Sequence, residues 1–314
     1  MSNKRKRKRS GYRPPARTSA PVVRKPATKQ PEPRQGLLSG LFGSATPSSL
    51  SVMPKFRTSI GRGVLLVGST PALVLVPFVW TLATWLALQA FGFIGSPLLL
   101  AQSVGVGPLG VQSDYTASII AFGQPASFYV MLPMLLLRGL LTAVLAGLIV
   151  EGIERGSVSM DGVRRGLRAY PLVLSSTVLT LLAIVTLLNA SLLGPGLGTL
   201  LQVILPAVAL WVLGFVPFVA VDERPPLAQT LMRSYYGART PGGRQFLFSL
   251  LYLLLLTILA AFTPGTEIGA NPSFGTWAFI LAVDYVHVAF FAAYGYRWLV
   301  IAPAVTAPPP RRPR

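Results

Sequence analysis

Six runs of mostly apolar residues, at about 63–91, 128–151, 171–192, 198–221, 246–263 and 276–302, leave this 314-residue chain few ways to fold. A helix needs roughly 20 apolar residues to cross about 30 Å of hydrocarbon, and each run comes close to that length or exceeds it. No water is present there to bond the backbone, so the segment must satisfy its own peptide groups as a helix. The expected fold class is all-α: a polytopic membrane protein of about six transmembrane helices. Only 12% of the residues are charged, against about 25% in a soluble domain. Pro71, Pro77, Pro133, Pro206 and Pro217 interrupt some of the runs. They predict kinks rather than breaks, because neighbouring polar side chains can re-satisfy the freed carbonyls.

The charges lie between the runs and report orientation. Fifteen Lys or Arg precede residue 63, beginning with Lys4, Arg5, Lys6, Arg7, Lys8 and Arg9. Arg155, Arg164, Arg165 and Arg168 follow the second run, and Arg224, Arg233, Arg239 and Arg244 follow the fourth. Arg297, Arg311, Arg312 and Arg314 mark the C-terminal end. The three alternate loops contain no Lys or Arg, only Asp114 and Glu267. This asymmetry predicts six spans with both termini in the cytoplasm. The net charge of +19 is thereby explained without a nucleic-acid partner. High Arg, Ala, Pro and Gly content suggests a GC-rich bacterial source, hence the bacterial cytoplasmic membrane.

Three regions follow. Residues 1–62 read as a disordered basic cytoplasmic tail ending in an interfacial segment, since a Pro-rich stretch with one acid, Glu32, cannot offset its ordering entropy. Within it Gly36–Phe42 is a short apolar patch. Residues 63–302 form the transmembrane domain, and 303–314 a short Pro/Arg-rich tail. The outer loop 93–126 has room for a short re-entrant or surface helix. Before each odd-numbered run lies a mixed apolar and basic stretch: Phe56–Arg62, Val163–Arg168 and Leu227–Tyr235. These suggest three units, each an interfacial helix followed by a transmembrane hairpin.

The passage from Leu213 to Leu251 joins one span to the next through Val221-Asp222-Glu223-Arg224 and Leu231-Met232-Arg233-Ser234-Tyr235. That order resembles bacterial integral membrane families related to the membrane domain attached to some glycerophosphodiester phosphodiesterases. The likeness covers about a third of the chain. No phosphodiesterase catalytic domain accompanies it, so it implies a fold and not that activity.

Ionisable residues inside spans are where chemistry is sought first, because each is costly in hydrocarbon. Arg138 in the second run and Asp284 and His287 in the sixth lie at matching depths, and an Arg138–Asp284 ion pair with His287 nearby is the expected arrangement. The stripe Gly139, Ala143, Gly147 permits a close neighbour. Glu151 and Glu154 read as a solvated membrane edge, with pairing to Arg155 or Arg164 as the alternative, and Asp222 and Glu223 read similarly. Gly105–Gly110 carries a dinucleotide-type glycine pattern but no preceding strand, and is rejected. The chain has no cysteine and one histidine, which excludes thiolate and His-rich metal sites. No cofactor is expected.

The expected function is non-catalytic: a membrane accessory or scaffold protein contacting anionic lipid. The contacts would come from Lys4, Arg5, Lys6, Arg7, Lys8, Arg9, Arg164, Arg165, Arg168 and Arg233. The partners so implied are the bilayer, its anionic lipids and an unidentified membrane protein. The alternative is a small-solute or lipid transporter using Arg138, Asp284 and His287. A lipid-modifying enzyme is a weaker third reading, given so few acid–base groups.

Overall fold

A computed structural model describes residues 53–91, 96–104, 128–189, 204, 207–239, 244–261 and 272–306. The basic run Lys4–Arg9, the patch at 36–42 and the glycine pattern at 105–110 lie outside them. The described residues are all helix and connecting turns, with no strand among them. The helices are α1 (Phe56–Ser69), α2 (Ala72–Gln89), α3 (Pro97–Val104), α4 (Phe128–Arg155), α5 (Met160–Asn189), α6 (Val216–Asp222), α7 (Leu227–Ala238), α8 (Arg244–Ala261) and α9 (Phe274–Thr306). Three stretches are long and apolar enough to cross a membrane: Ala72–Gln89, Pro133–Arg155 and Phe274–Val305. Ala207–Asp222 and Arg244–Leu256 are shorter apolar helices. This is a membrane protein, all-helical with three candidate spans among the described residues.

The first apolar run departs from expectation. Pro71 does not merely kink it; α1 ends at Ser69, Thr70 takes φ −134° and ψ 73°, and α2 starts at Ala72. Proline lacks the N–H that would bond the carbonyl four residues back. Val67 instead bonds the Thr70 N–H at 3.3 Å, and Ser69 Oγ donates to the Leu66 carbonyl at 2.9 Å. The fourth run is interrupted as well, by a turn at Gly214 and Phe215 ahead of Pro217. There Ser234 Oγ, from α7, donates to the Val212 carbonyl at 2.7 Å. A polar side chain thus satisfies a carbonyl next to the interruption.

Small residues set the helix contacts. The stripe Gly139, Ala143, Gly147 is filled by α5: a Cβ on Gly147 would meet the backbone of Gly162 and Gly166, and one on Gly166 would meet the backbone of Ala143. Gly63 on α1 sits equally close to the backbone of Ala289 and Ala293 on α9. Gly295 lies against Phe218 and Ile149, so α9 also packs on α4 and α6. Of the three expected interfacial stretches, Leu227–Tyr235 lies in α7 and Phe56–Arg62 in the first half of α1, each a helix shorter than a span, while Val163–Arg168 lies near the start of the long α5. Gly162 and Gly166 hold the start of α5 alongside α4.

Within the 93–126 segment, α3 is a short helix whose Leu98 and Leu100 are buried against neighbouring helices. The main core is built from α1, α2, α4, α5, α6, α8 and α9, with Phe215, Phe218, Phe248 and Trp298 fully covered.

Gly166→Leu should lower stability by about 3 kcal/mol or more, because the facing atoms are backbone and cannot step aside. Gly61→Ala, which meets nothing within 4 Å, should be neutral or stabilising by about 0.5–1 kcal/mol. Unfolding in mixed micelles measures both.

Candidate functional site

Two polar levels stand out, and α9 serves as a ruler for both. At 1.5 Å per residue, Asp284 lies about 15 Å along α9 from Phe274 and Arg297 about 34 Å; the first marks the midplane level of the bundle and the second, toward the end of α9, its inner level.

The midplane level holds the expected polar residues. Arg138 and Asp284 are both buried, at 3% exposure, on α4 and α9, which pack together as expected. Asp284 Oδ2 is buried without a hydrogen-bond partner, so the expected bond from Arg138 is not made at that oxygen. Matching depth brought the two residues to one level, but depth does not fix which way side chains point around their helices. His287 Nδ1 is 2.7 Å from Tyr252 Oη. The Tyr252 ring stacks on Phe290 with centroids 4.8 Å apart. Tyr252, on α8, is the member of this level that sequence reasoning missed, since an aromatic in an apolar run carries no charge signal. The break in the first run also belongs here. Gly63 packs between Ala289 and Ala293, and seven residues outward along each antiparallel helix bring Thr70 level with Asp284.

The inner level is charged. Glu151, expected at a solvated edge, is 1% exposed. Its carboxylate accepts from the Ser159 N–H at 2.9 Å, the Ser159 hydroxyl at 2.6 Å, the Gly162 N–H at 2.8 Å and Arg155 at 3.0 Å. It was misread because the donors that bury it come from the following turn and not from an i+4 pattern alone. Glu154 pairs with Arg165 at 2.7 Å and holds that guanidinium above its ordinary pKa. Asp161 lies 3.4 Å from Arg155 and 3.6 Å from Arg164. Glu223 pairs with Arg233. Asp222 accepts from Trp298 Nε1 at 3.2 Å. Arg164, Arg165 and Arg233, expected to meet lipid, are thus each engaged by a carboxylate. Arg168 is exposed beside Leu167, which is 47% exposed. Lys55, Arg57 and Arg62 at the start of α1 are exposed too.

Arg297 is fully buried at this level. Its Nε donates to Gln245 Oε1 at 2.8 Å, and its Nη1 donates to the Pro54 carbonyl at 3.2 Å and to Ser59 Oγ at 3.3 Å. The guanidinium lies 4.6 Å over the Phe248 ring and 5.8 Å from Phe56. Arg244 donates to the Met53 carbonyl at 3.0 Å. The starts of α1 and α8 and the end of α9 are so joined. Among the described residues, no group of three His, Cys, Asp or Glu is placed to hold a metal ion.

No known protein family, curated protein or solved structure matches this chain.

A double-mutant cycle with Arg138→Gln and Asp284→Asn should give a coupling below about 0.5 kcal/mol, the range for residues that act independently. Tyr252→Phe, which removes the bond to His287, should cost about 1 kcal/mol. Urea or thermal unfolding in detergent measures each; a coupling of several kcal/mol would restore the ion pair.

Proposed function

We propose that this chain is a non-catalytic membrane scaffold of six spans, with both termini in the bacterial cytoplasm and its inner face seated on anionic lipid. One observation carries the reading. All the described acids of the inner level, Glu151, Glu154, Asp161, Asp222 and Glu223, are taken up by bonds within the protein. Lys55, Arg57, Arg62 and Arg168 are left facing outward, beside exposed apolar residues such as Val64, Leu65 and Leu167. Such side chains lay their stems on apolar surface and reach for the headgroups, where each contributes about 1 kcal/mol toward an anionic surface. The basic tail would add to this. The likeness of residues 213–251 to the membrane domain of some phosphodiesterases belongs to the same proposal, as a likeness of fold.

A second reading, transport of a small solute or lipid, is favoured by a different observation: the buried, unpartnered Asp284 Oδ2 at the level of the break at Thr70 and Pro71. Broken helices at the midplane are a transporter feature.

Reconstitution into bilayers mixing phosphatidylcholine with phosphatidylglycerol, followed by polymer extraction of the protein with its surrounding lipid, separates the two. The scaffold reading expects phosphatidylglycerol to be enriched around the wild type, and the enrichment to fall when Lys55, Arg57, Arg62 and Arg168 are all changed to Gln. Equal lipid composition in both, together with solute flux abolished by Asp284→Asn, would replace it with the transporter.

A further inference from the structure

Arg297 differs from the other inner-level arginines in what it is bonded to. All its acceptors are neutral: an amide oxygen, a peptide carbonyl and a hydroxyl. No ion pair among the described residues includes it. A fully buried cation without a counter-charge is costly to desolvate, and the two flanking rings offset that cost only in part.

The unfinished bonding is specific. Arg297 Nη2 and Gln245 Nε2 are both buried and both lack an acceptor. Nε and Nη2 share one edge of the guanidinium, the edge that fits a two-oxygen anion. Gln245 offers that edge a single oxygen, taken by Nε, and its amide NH2 is left with no acceptor. Two neighbouring groups therefore present only donors. Rotating the amide would exchange one orphan for another. Arg244, adjacent on α8 and partly exposed, adds a second positive charge beside Gln245. Counted from Phe274, this group lies at the inner level of the bundle.

We propose that Arg297, Gln245 and Arg244 form a binding site for a phosphate-bearing anion, whose oxygens bond Arg297 Nη2 and Gln245 Nε2 together. Phosphate suits the site because its several oxygens can meet a guanidinium edge and an amide at once, and arginine is the side chain best shaped for it. The same chemistry is presented by a lipid phosphate and by the free ion. The proposal goes beyond the peripheral lipid contacts and does not rest on them, since it concerns a buried constellation and not exposed charge.

The test follows thermal unfolding of the delipidated full-length protein with two probes. One arm adds inorganic phosphate in detergent at constant ionic strength, with chloride as the balancing salt. The other compares nanodiscs of phosphatidylcholine with and without phosphatidic acid. The wild type should rise by about 3 °C or more at saturation in at least one arm. A response to inorganic phosphate assigns the site to the free ion, and a response to phosphatidic acid alone assigns it to a headgroup. Gln245→Glu supplies the missing oxygen in place and should show no rise in either arm. The variant with Lys55, Arg57 and Arg168 changed to Gln should keep the wild-type rise. No rise for the wild type in either arm, or the same rise in Gln245→Glu, would overturn the site. Phosphorus analysis of the delipidated wild type in a phosphorus-free detergent, titrated with inorganic phosphate or with phosphatidic acid and freed of unbound probe, provides a reading independent of any variant: it should saturate at a single phosphate per chain, and failure to saturate in both titrations would also overturn it.

Discussion

The inner end of this bundle is assembled around a buried positive charge. Arg297 reaches from α9 to the start of α8 through Gln245 and to the start of α1 through Pro54 and Ser59, while two aromatic rings cover its faces. These segments lie far apart in sequence and meet at one guanidinium. A buried charge tolerates little loss of its partners, because each missing bond leaves desolvated donors behind. The entry point of the first run into the membrane, the register of α8 and the exit of α9 therefore depend on it together. Glu151 does the same with the opposite sign for α4 and α5, binding the turn between them through Ser159 and Gly162.

These two anchors explain why helices that cross hydrocarbon hold a fixed arrangement. Lipid tails provide no hydrophobic drive for one helix to prefer another, so close backbone contact and polar bonds must supply the preference. Glycines provide the first: Gly147, Gly162 and Gly166 between α4 and α5, and Gly63 between α1 and α9. The inner charged level provides the second. By consuming its carboxylates internally, that level leaves one face of the molecule positive, and the functional reading grows from this imbalance.

Much of the architecture could be read from the residues, and the failures have physical causes. Apolar length alone marked the three candidate spans, and the small-residue stripe on α4 correctly announced a tight neighbour. The stripe could not say which neighbour; α5 takes it because Gly162 and Gly166 complete the contact, leaving α9 to pack on a different side. Arg138 and Asp284 were placed at one level by counting, but a level is not a bearing, and Asp284 Oδ2 is left without a partner. Pro71 was expected to kink its helix; with Thr70 before it, it divides the helix instead. Arg297 and Arg244 looked like ordinary orientation charges. The aromatic residues around them, Tyr294, Trp298 and Phe248, were the available sign that one of them is enclosed.

The central claim is that the charged level faces the cytoplasm and that every connection alternates across the bilayer from there. The chain contains no cysteine, so a single introduced one is the only thiol to report. The most direct measurement is labelling of such cysteines in intact cells with a membrane-impermeant maleimide, before and after permeabilisation. The account predicts that Ser2→Cys, Ser157→Cys, Ala228→Cys and Ala307→Cys react only after permeabilisation, while Ser113→Cys, Ser191→Cys and Thr266→Cys react in intact cells. Reaction of Ser157→Cys or Ala228→Cys in intact cells, or protection of Ser191→Cys or Thr266→Cys, would contradict the six-span arrangement and with it the seating of the basic face on cytoplasmic lipid.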